Sequence, residues 1–367
     1  MDLSYLRPLY ASPGPWASVY LDATRAVPDA PHQIELRWRS LREQLASRGV
    51  PAATLDAMAA AIFGAPHRPG RYGLAAFAAG TDVALVEPTP GPPPSDEAYF
   101  GPLPHAMPLV ALRGEEVPFV RVLSDRTGAD VTGLSVGGVA RHEEVEGGDT
   151  YPIRKVRGGG WSNPRYQRAA EETWRRNAGD VAAAVGELAA AVGAEVIVIG
   201  GDVRAAPLIA EKLPRRWRDR VIVTEAGDRS PASEDDFDSI TLRAIADVAE
   251  RHVRDAIDRY NAQRGEGSGS AGLADVVSRL RRAQADAVLM INEPWSTDKL
   301  WIGPDDPTQV SVDPQTLRES GVEEPQQIRA DAALLRAIVG TDAQLVLVTP
   351  GEVALEHGIG AILRYGS

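Results

Sequence analysis

The sequence predicts a multi-domain α/β (α+β) protein, and three observations carry that expectation. At 367 residues the chain exceeds one ordinary core, and roughly 100–200 residues per domain gives two to three domains. Short β-branched runs such as "EVIVIGGD" (195–202) and "QLVLVTPG" (344–351) alternate with long amphipathic stretches, the pattern of layered α/β units. Eight prolines crowd residues 88 to 108, where the backbone is expected to be extended and stiff. The expected division is 1–107, 108–238 and 239–367, with no internal repeat.

In the first domain "ASVYLD" (17–22), "YGLAAFA" (72–78) and "TDVALVEP" (81–88) read as strands. Two helices are expected between the first two strands, from His32 to Arg48 and from Pro51 to Phe63. The first places Ile34, Trp38, Leu41 and Leu45 on one face. "PLVALR", "VPFVRVLSD" and "ADVTGLSVG" read as three strands opening the second domain, with turn chemistry at "GEE" and "RTGA".

A long helix is expected from Pro164 to Val192. Its inner stripe runs Tyr166, Ala170, Trp174, Asn177, Val181, Val185, Leu188, Val192, with Asn177 the one polar member. Pro164 suits a first helical turn and Asn163 an N-cap. "EVIVIGGD" and "RVIVTEAGD" (220–228) read as fully buried strands of a mixed or parallel sheet. In the third domain a helix over 238–263 precedes a flexible Gly/Ser loop, "RGEGSGSAG" (264–272). A helix (273–284), strand "DAVLMINE" (286–293), helix near 328–339, strand "QLVLVTPG" and terminal "GIGAILRY" (358–365) complete an α/β/α layer domain.

Composition excludes several functions. There are no cysteines, hence no disulfide framework, cysteine-ligated metal or thiol nucleophile. No apolar run reaches the roughly 18 residues of a membrane span, and "MDLSYLRPLYASPGPW" lacks the features of a signal peptide. A cytoplasmic protein is expected, with no membrane or DNA partner. Net charge of −12 argues against non-specific coating of nucleic acid. Charge is nevertheless segregated: residues 151–176 hold seven basic and two acidic side chains.

Most motif matches have a simpler explanation. The six histidines are scattered without metal-ligand spacing, so surface or capping roles are expected, and no metal or cofactor. "GSGSAG" (267–272) spells a dinucleotide motif but follows a helix instead of a strand. "GLSVG" (133–137) surrounds Ser135 like a nucleophile elbow but is not followed by a helix. "VIGGD" (198–202) is expected to be a tight turn. Asp125, Asp130, Asp202 and Asp228 stand near strand ends, where two-metal chemistry competes with turn and cap roles. "SEDDFD" (233–238) suits a helix N-terminus.

"IRKVRGGGWSNPRYQRAAEETWRRN" (153–177) is different. Gly158, Gly159 and Gly160 permit close backbone approach. Arg154, Lys155, Arg157, Arg165 and Arg168 can neutralise phosphates, arginine bidentately, and Trp161 offers a stacking face to an unpaired base. Asn163 and the amides of the helix start add an anion-friendly end. On composition alone a surface loop whose arginines pair with Glu171 and Glu172 is an equal reading.

The order of these residues resembles the tip of the central domain in archaeo-eukaryotic peptide release factors. There, two glycines and a glutamine precede a small polar residue and an arginine–aromatic–x–arginine step into a helix. The glycines fall on Gly159 and Gly160, the arginine–aromatic pair on Arg165 and Tyr166, and the second arginine on Arg168. "GIGAILRY" and "ADAVLMINE" resemble strands of that family's third domain, so the likeness spans about 108 to 367. It implies an RNase-H-like, release-factor middle domain with a mixed sheet and a release-factor-like third domain. The glutamine position is Trp161, whose indole has one N–H donor and no acceptor.

A chain with this architecture is similar to the bacterial branch of the family, and in kind to the Balon-type ribosome hibernation factors of actinobacteria. The resemblance implies a non-catalytic factor in the ribosomal A site, its tip at the rRNA of the peptidyl-transferase centre and elongation factor Tu as an accompanying protein. The alternatives are a ribosome-rescue peptidyl-tRNA hydrolase and a stress-related protein-binding adaptor.

Overall fold

The computed structural model describes the chain except residues 27, 69, 126–127, 147–162, 228–230, 293–297 and 366–367, and except the side chains of 163–171 and 231–234. The described chain divides into two compact units. One joins Met1–Gly114 to Val253–Ser367, and the other is Glu115–His252.

The first unit begins with a 3-10 helix over Ser4–Tyr10. Strands β1 (Trp16–Asp22), β2 (Gly73–Ala79), β3 (Asp82–Thr89) and β4 (Glu97–Gly101) follow, with helices α1 (Ala30–Ser47), α2 (Ala52–Gly64) and α3 (Met107–Arg113). The antiparallel sheet runs β3-β2-β1-β4. Alternation along β1 sends Ala17, Val19 and Leu21 toward the predicted α1 stripe of Ile34, Trp38, Leu41 and Leu45. Trp16 and Tyr20 enter the opposite core, so every strand position but the last is buried.

One element here was unforeseen, and one expectation fails. The proline-rich stretch contains a strand, β4, which pairs with β1 from Trp16↔Gly101 to Tyr20↔Glu97. "PLVALR" is the helix α3 and not a strand: Pro108 occupies its first turn, where a missing N–H costs nothing. Gly114, at φ 67°, ends it by donating its N–H to Val110.

In the second unit β5 (Phe119–Ser124), β6 (Gly128–Leu134) and β7 (Ala140–Glu146) form an antiparallel meander. Helix α4 (Asn163–Val192) leads to β8 (Val196–Gly201), α5 (Ala205–Lys212), α6 (Arg215–Arg218), β9 (Val221–Val223) and α7 (Pro231–Gly265). The sheet order is β7-β6-β5-β8-β9, with β5, β8 and β9 parallel. This is the expected mixed sheet.

Ile197 and Ile199 face a core with Val181, Val185 and Leu188 of α4 and Ile209 of α5. Val196 and Val198 face Phe237, Ala244 and Val248 of α7. Burial on both faces explains the unbroken apolar run of β8. β9 differs from the expectation of a fully buried strand, because it is an edge and leaves Ile222 and Val223 exposed. β7 gave no apolar signal because it is a polar, exposed edge strand.

After α7 come β10 (Ser270–Ala271), α8 (Leu273–Arg281), β11 (Ala285–Ile291), β12 (Lys299–Ile302), β13 (Val310–Ser311) and α9 (Pro314–Glu319). β14 (Gln326–Arg329), α10 (Ala330–Gly340), β15 (Gln344–Val348) and β16 (Ile359–Leu363) close the chain. One sheet runs β10-β16-β11-β15 and a smaller one β13-β12-β14. Tyr260 of α7 packs with Leu289, Val346 and Ile362. On the other face Val288, Leu345 and Ala361 join Leu280 of α8 and Leu334, Leu335 and Ile338 of α10. The expected α/β/α layering is present. That second core also takes Leu3, Leu6, Leu9, Tyr20, Leu109 and Val110, so the ends of the chain share one interior.

Candidate nucleic-acid interface

Arg154, Lys155, Arg157, Gly158, Gly159, Gly160 and Trp161 lie outside the described residues. Asn163, Arg165 and Arg168 stand in the first two turns of α4, whose backbone turns helical at Asn163, next to the predicted first residue Pro164. The segment therefore joins the edge strand β7, which ends at Glu146, to the start of a 30-residue helix. At 1.5 Å per residue that helix is about 45 Å long. Its anchoring stripe is Asn177, Val181, Val185, Leu188 and Val192, all buried. Glu172, Arg175 and Arg176, within the five residues before it, are exposed.

The other motifs resolve into local structure. Ser135 sits in the β6–β7 turn and donates its hydroxyl to the Val139 carbonyl at 3.3 Å. A strand follows it, so the elbow context is absent. "GSGSAG" lies after α7, with Gly267 and Gly272 at φ 77° and 78°. "VIGGD" is a tight turn: Gly201 has φ 111°, and a Cβ there would overlap the Ser124 carbonyl.

Asp125 and Asp202 meet at the ends of the adjacent parallel strands β5 and β8. They line a cavity of about 110 Å³ with Trp174, Asn177, Leu208 and Ile209. Asp202 Oδ1 caps α5, accepting from the amides of Arg204 at 2.9 Å and Ala205 at 3.1 Å. Asp125 Oδ1 accepts from Gly128 N at 2.8 Å. Both carboxylates thus serve turn and cap roles. Among the described residues no cluster of three or more metal-ligating side chains is assembled. Asp130 lies on β6, and Asp228 is outside the described residues. The acidic run 233–238 falls inside the first turns of α7, where the helix dipole favours it.

Two histidines depart from the expected surface or capping roles. His105 is 8% exposed and packs its ring against Tyr20 and Tyr99. Burial holds its imidazole below the ordinary histidine value. His252 bridges Glu115 and Glu195.

Sequence reasoning also missed the basic turn 212–220. Lys212, Arg215, Arg216, Arg218 and Arg220 are all exposed there. The signal was present as five cations and one carboxylate in nine residues. They fall at the end of α5, in the four-residue α6 and just after it, runs too short to show a period.

Residues 118–266 match the family described as bacterial archaeo-eukaryotic release factor family 2. Across 366 residues the chain is 31% identical to the uncharacterized proteins Rv2629 and MT2704 of two Mycobacterium tuberculosis strains, covering 99% of this chain and 96% of each relative. Among solved structures, the archaeal translation termination factor aRF1 is similar at 15% identity and a TM-score of 0.27, over 99% of this chain and 96% of that one. Archaeoglobus fulgidus Pelota matches at 16% and 0.35, over 82% and 81%. An archaeal Pelota in a ribosome-bound model with ABCE1 matches at 12% and 0.40, over 99% and 93%. Likeness at such scores carries no mechanistic weight.

Proposed function

The chain belongs to the bacterial archaeo-eukaryotic release factor family, and on that premise we propose that it is a ribosome-associated, A-site-binding translation factor without hydrolytic activity, acting in hibernation or stress. The observation that carries the reading is the segment "RGGGWSNPRYQR" (157–168), basic and glycine-rich, entering α4 at Asn163. In this reading Arg154, Lys155, Arg157, Arg165 and Arg168 neutralise rRNA phosphates at the peptidyl-transferase centre. Gly158, Gly159 and Gly160 allow the backbone close to RNA, and Trp161 stacks on a base. Asn163 and the helix start add amide donors.

The tip position that the family's hydrolases fill with glutamine is Trp161. An indole N–H cannot accept a hydrogen bond from an attacking water, so the water-positioning step lacks its residue. Residues 1–107 face the decoding centre in this scheme, and 239–367 dock on a protein such as elongation factor Tu. The test is the double reversal Arg157→Glu, Arg165→Glu. Co-sedimentation with ribosomes is expected to be lost while the melting temperature stays within about 1 °C. Unaltered sedimentation would overturn the loop assignment. Peptide release from stalled complexes by the pure protein would overturn the non-catalytic assignment.

A further inference from the structure

Within the second unit, a basic surface is formed by residues remote in sequence from the glycine-rich segment. Residues 212–220 carry Lys212, Arg215, Arg216, Arg218 and Arg220, with Asp219 the only carboxylate among them, in a chain of net charge −12. None of these five cations lies within ion-pair distance of a carboxylate among the described residues. Backbone carbonyls fix the geometry of two of them instead. Arg218 donates Nε to the Leu213 carbonyl at 3.1 Å and Nη2 to the Glu211 carbonyl at 3.0 Å. Arg220 donates Nη1 to the Ala194 carbonyl at 2.8 Å.

The guanidiniums of Arg216 and Arg220 lie 5.3 Å and 5.5 Å from the centroid of the Trp217 ring. Trp217 itself is buried, 7% exposed, in the core beneath α4. The indole is thus a peg that holds an arginine-bearing turn on the helix. Side chains already ordered in this way lose less freedom when they bind.

The surface continues along α4. A Cβ at Gly179 would touch the Lys212 stem at 3.9 Å, and Arg175 and Arg176 stand four and three residues before Gly179, on the same helical face. Both are exposed. Glu172, Asp180 and Glu187 are the exposed acids on that helix, Glu187 next to Gly186, where a Cβ would touch Pro214 at 3.6 Å.

From this geometry we infer that the turn 212–220, extended by Arg175 and Arg176, is a second RNA-binding surface that grips the phosphate backbone of an A-form duplex. The inference rests on the ribosomal reading above for its biological setting and on unpaired, pre-ordered guanidiniums for its chemistry. Four of the five cations in the turn are arginines, whose planar forks match phosphate oxygens. The deep, narrow major groove of an A-form duplex keeps arginine forks from its base edges, so the contact is one of shape and charge.

The test uses the full chain and a labelled RNA duplex of about 16 base pairs, the span of a shape-reading double-strand contact. Binding is followed by anisotropy across a salt series, with wild type, Arg215→Glu/Arg216→Glu and Arg157→Glu/Arg165→Glu. The patch variant is expected to bind at least about tenfold more weakly, with a salt slope shallower by about one to two. Its melting temperature stays that of wild type, and Arg215→Lys/Arg216→Lys retains most of the binding.

Equal affinity of wild type and patch variant, or loss in the loop variant alone, would overturn the inference. So would a wild type that does not bind the duplex at low salt. Ribosome co-sedimentation, run beside it, reports on the other reading. Duplex binding by a protein that ignores ribosomes leaves the patch and removes its setting, whereas ribosome binding unaffected by the patch variant, with no duplex binding, does the reverse.

Discussion

His252 Nε2 lies 2.7 Å from Glu195 Oε2, and its Nδ1 lies 3.0 Å from Glu115 Oε1. One imidazole, near the middle of α7, therefore meets carboxylates from the segments that lead into β5 and β8. Partial burial works against the charged ring, but the two carboxylates together outweigh it and raise the pKa above the ordinary histidine value.

The sign of the pH dependence follows. A folded pKa above the unfolded one, about 6.5, gives a stabilisation that is complete below pH 6.5 and fades as pH rises through the folded value. The ring is 30% exposed, so screening keeps the effect to about 0.5–1 kcal/mol. His252→Gln is expected to remove about that much stability at pH 5.5 and much less at pH 8.5, read as the difference in urea midpoints. An equal loss at both pH values would contradict the account.

Gly201 is held at φ 111° where β8 turns against the end of β5, and its N–H donates to the Ala226 carbonyl at 3.0 Å. Gly201→Ala adds both left-handed strain and an overlap with the Ser124 carbonyl, at a cost of about 3 kcal/mol or more. Gly49, at φ 90° with open space around it, isolates the conformational part. Gly49→Ala is expected to cost about 1–2 kcal/mol. Thermal unfolding of the two variants separates strain from collision.

Arg336 is 7% exposed, and its guanidinium donates to the carbonyls of Gly303 at 2.7 Å and Pro304 at 3.0 Å. These bonds tie α10 to the loop after β12. Arg336→Ala removes two charge-assisted bonds and leaves a void, together about 2–4 kcal/mol. Arg336→Met restores volume without donors and is expected to recover part of that loss. Equilibrium denaturation of both variants measures how much belongs to the hydrogen bonds.

The elements legible in the sequence were those whose burial imposes a period. The α1 stripe and the buried half of α4 declared themselves through spacing, and β8 through an apolar run flanked by turn residues. β7 was hidden because an exposed edge strand has no apolar face, and β4 because prolines around it masked a five-residue pairing. α3 read as a strand because its apolar residues are adjacent, Leu109 and Val110, while the helix signals Pro108 and Gly114 stood at its ends. Within the candidate interface, the start of α4 at Asn163 was legible from the Asn–Pro step. The basic turn 212–220 was not, because its organising feature is tertiary: a tryptophan buried under α4 that aligns arginines from a short segment.

The claim at the centre is that this chain binds the ribosome through its basic elements. Co-sedimentation of the purified protein with vacant 70S ribosomes across a salt series, beside Trp161→Ala, tests it most directly. Binding that weakens steeply with salt, and weakens further when the indole is removed, is the predicted result. Absence of binding at low salt would contradict the account and leave the family relationship as one of fold and descent.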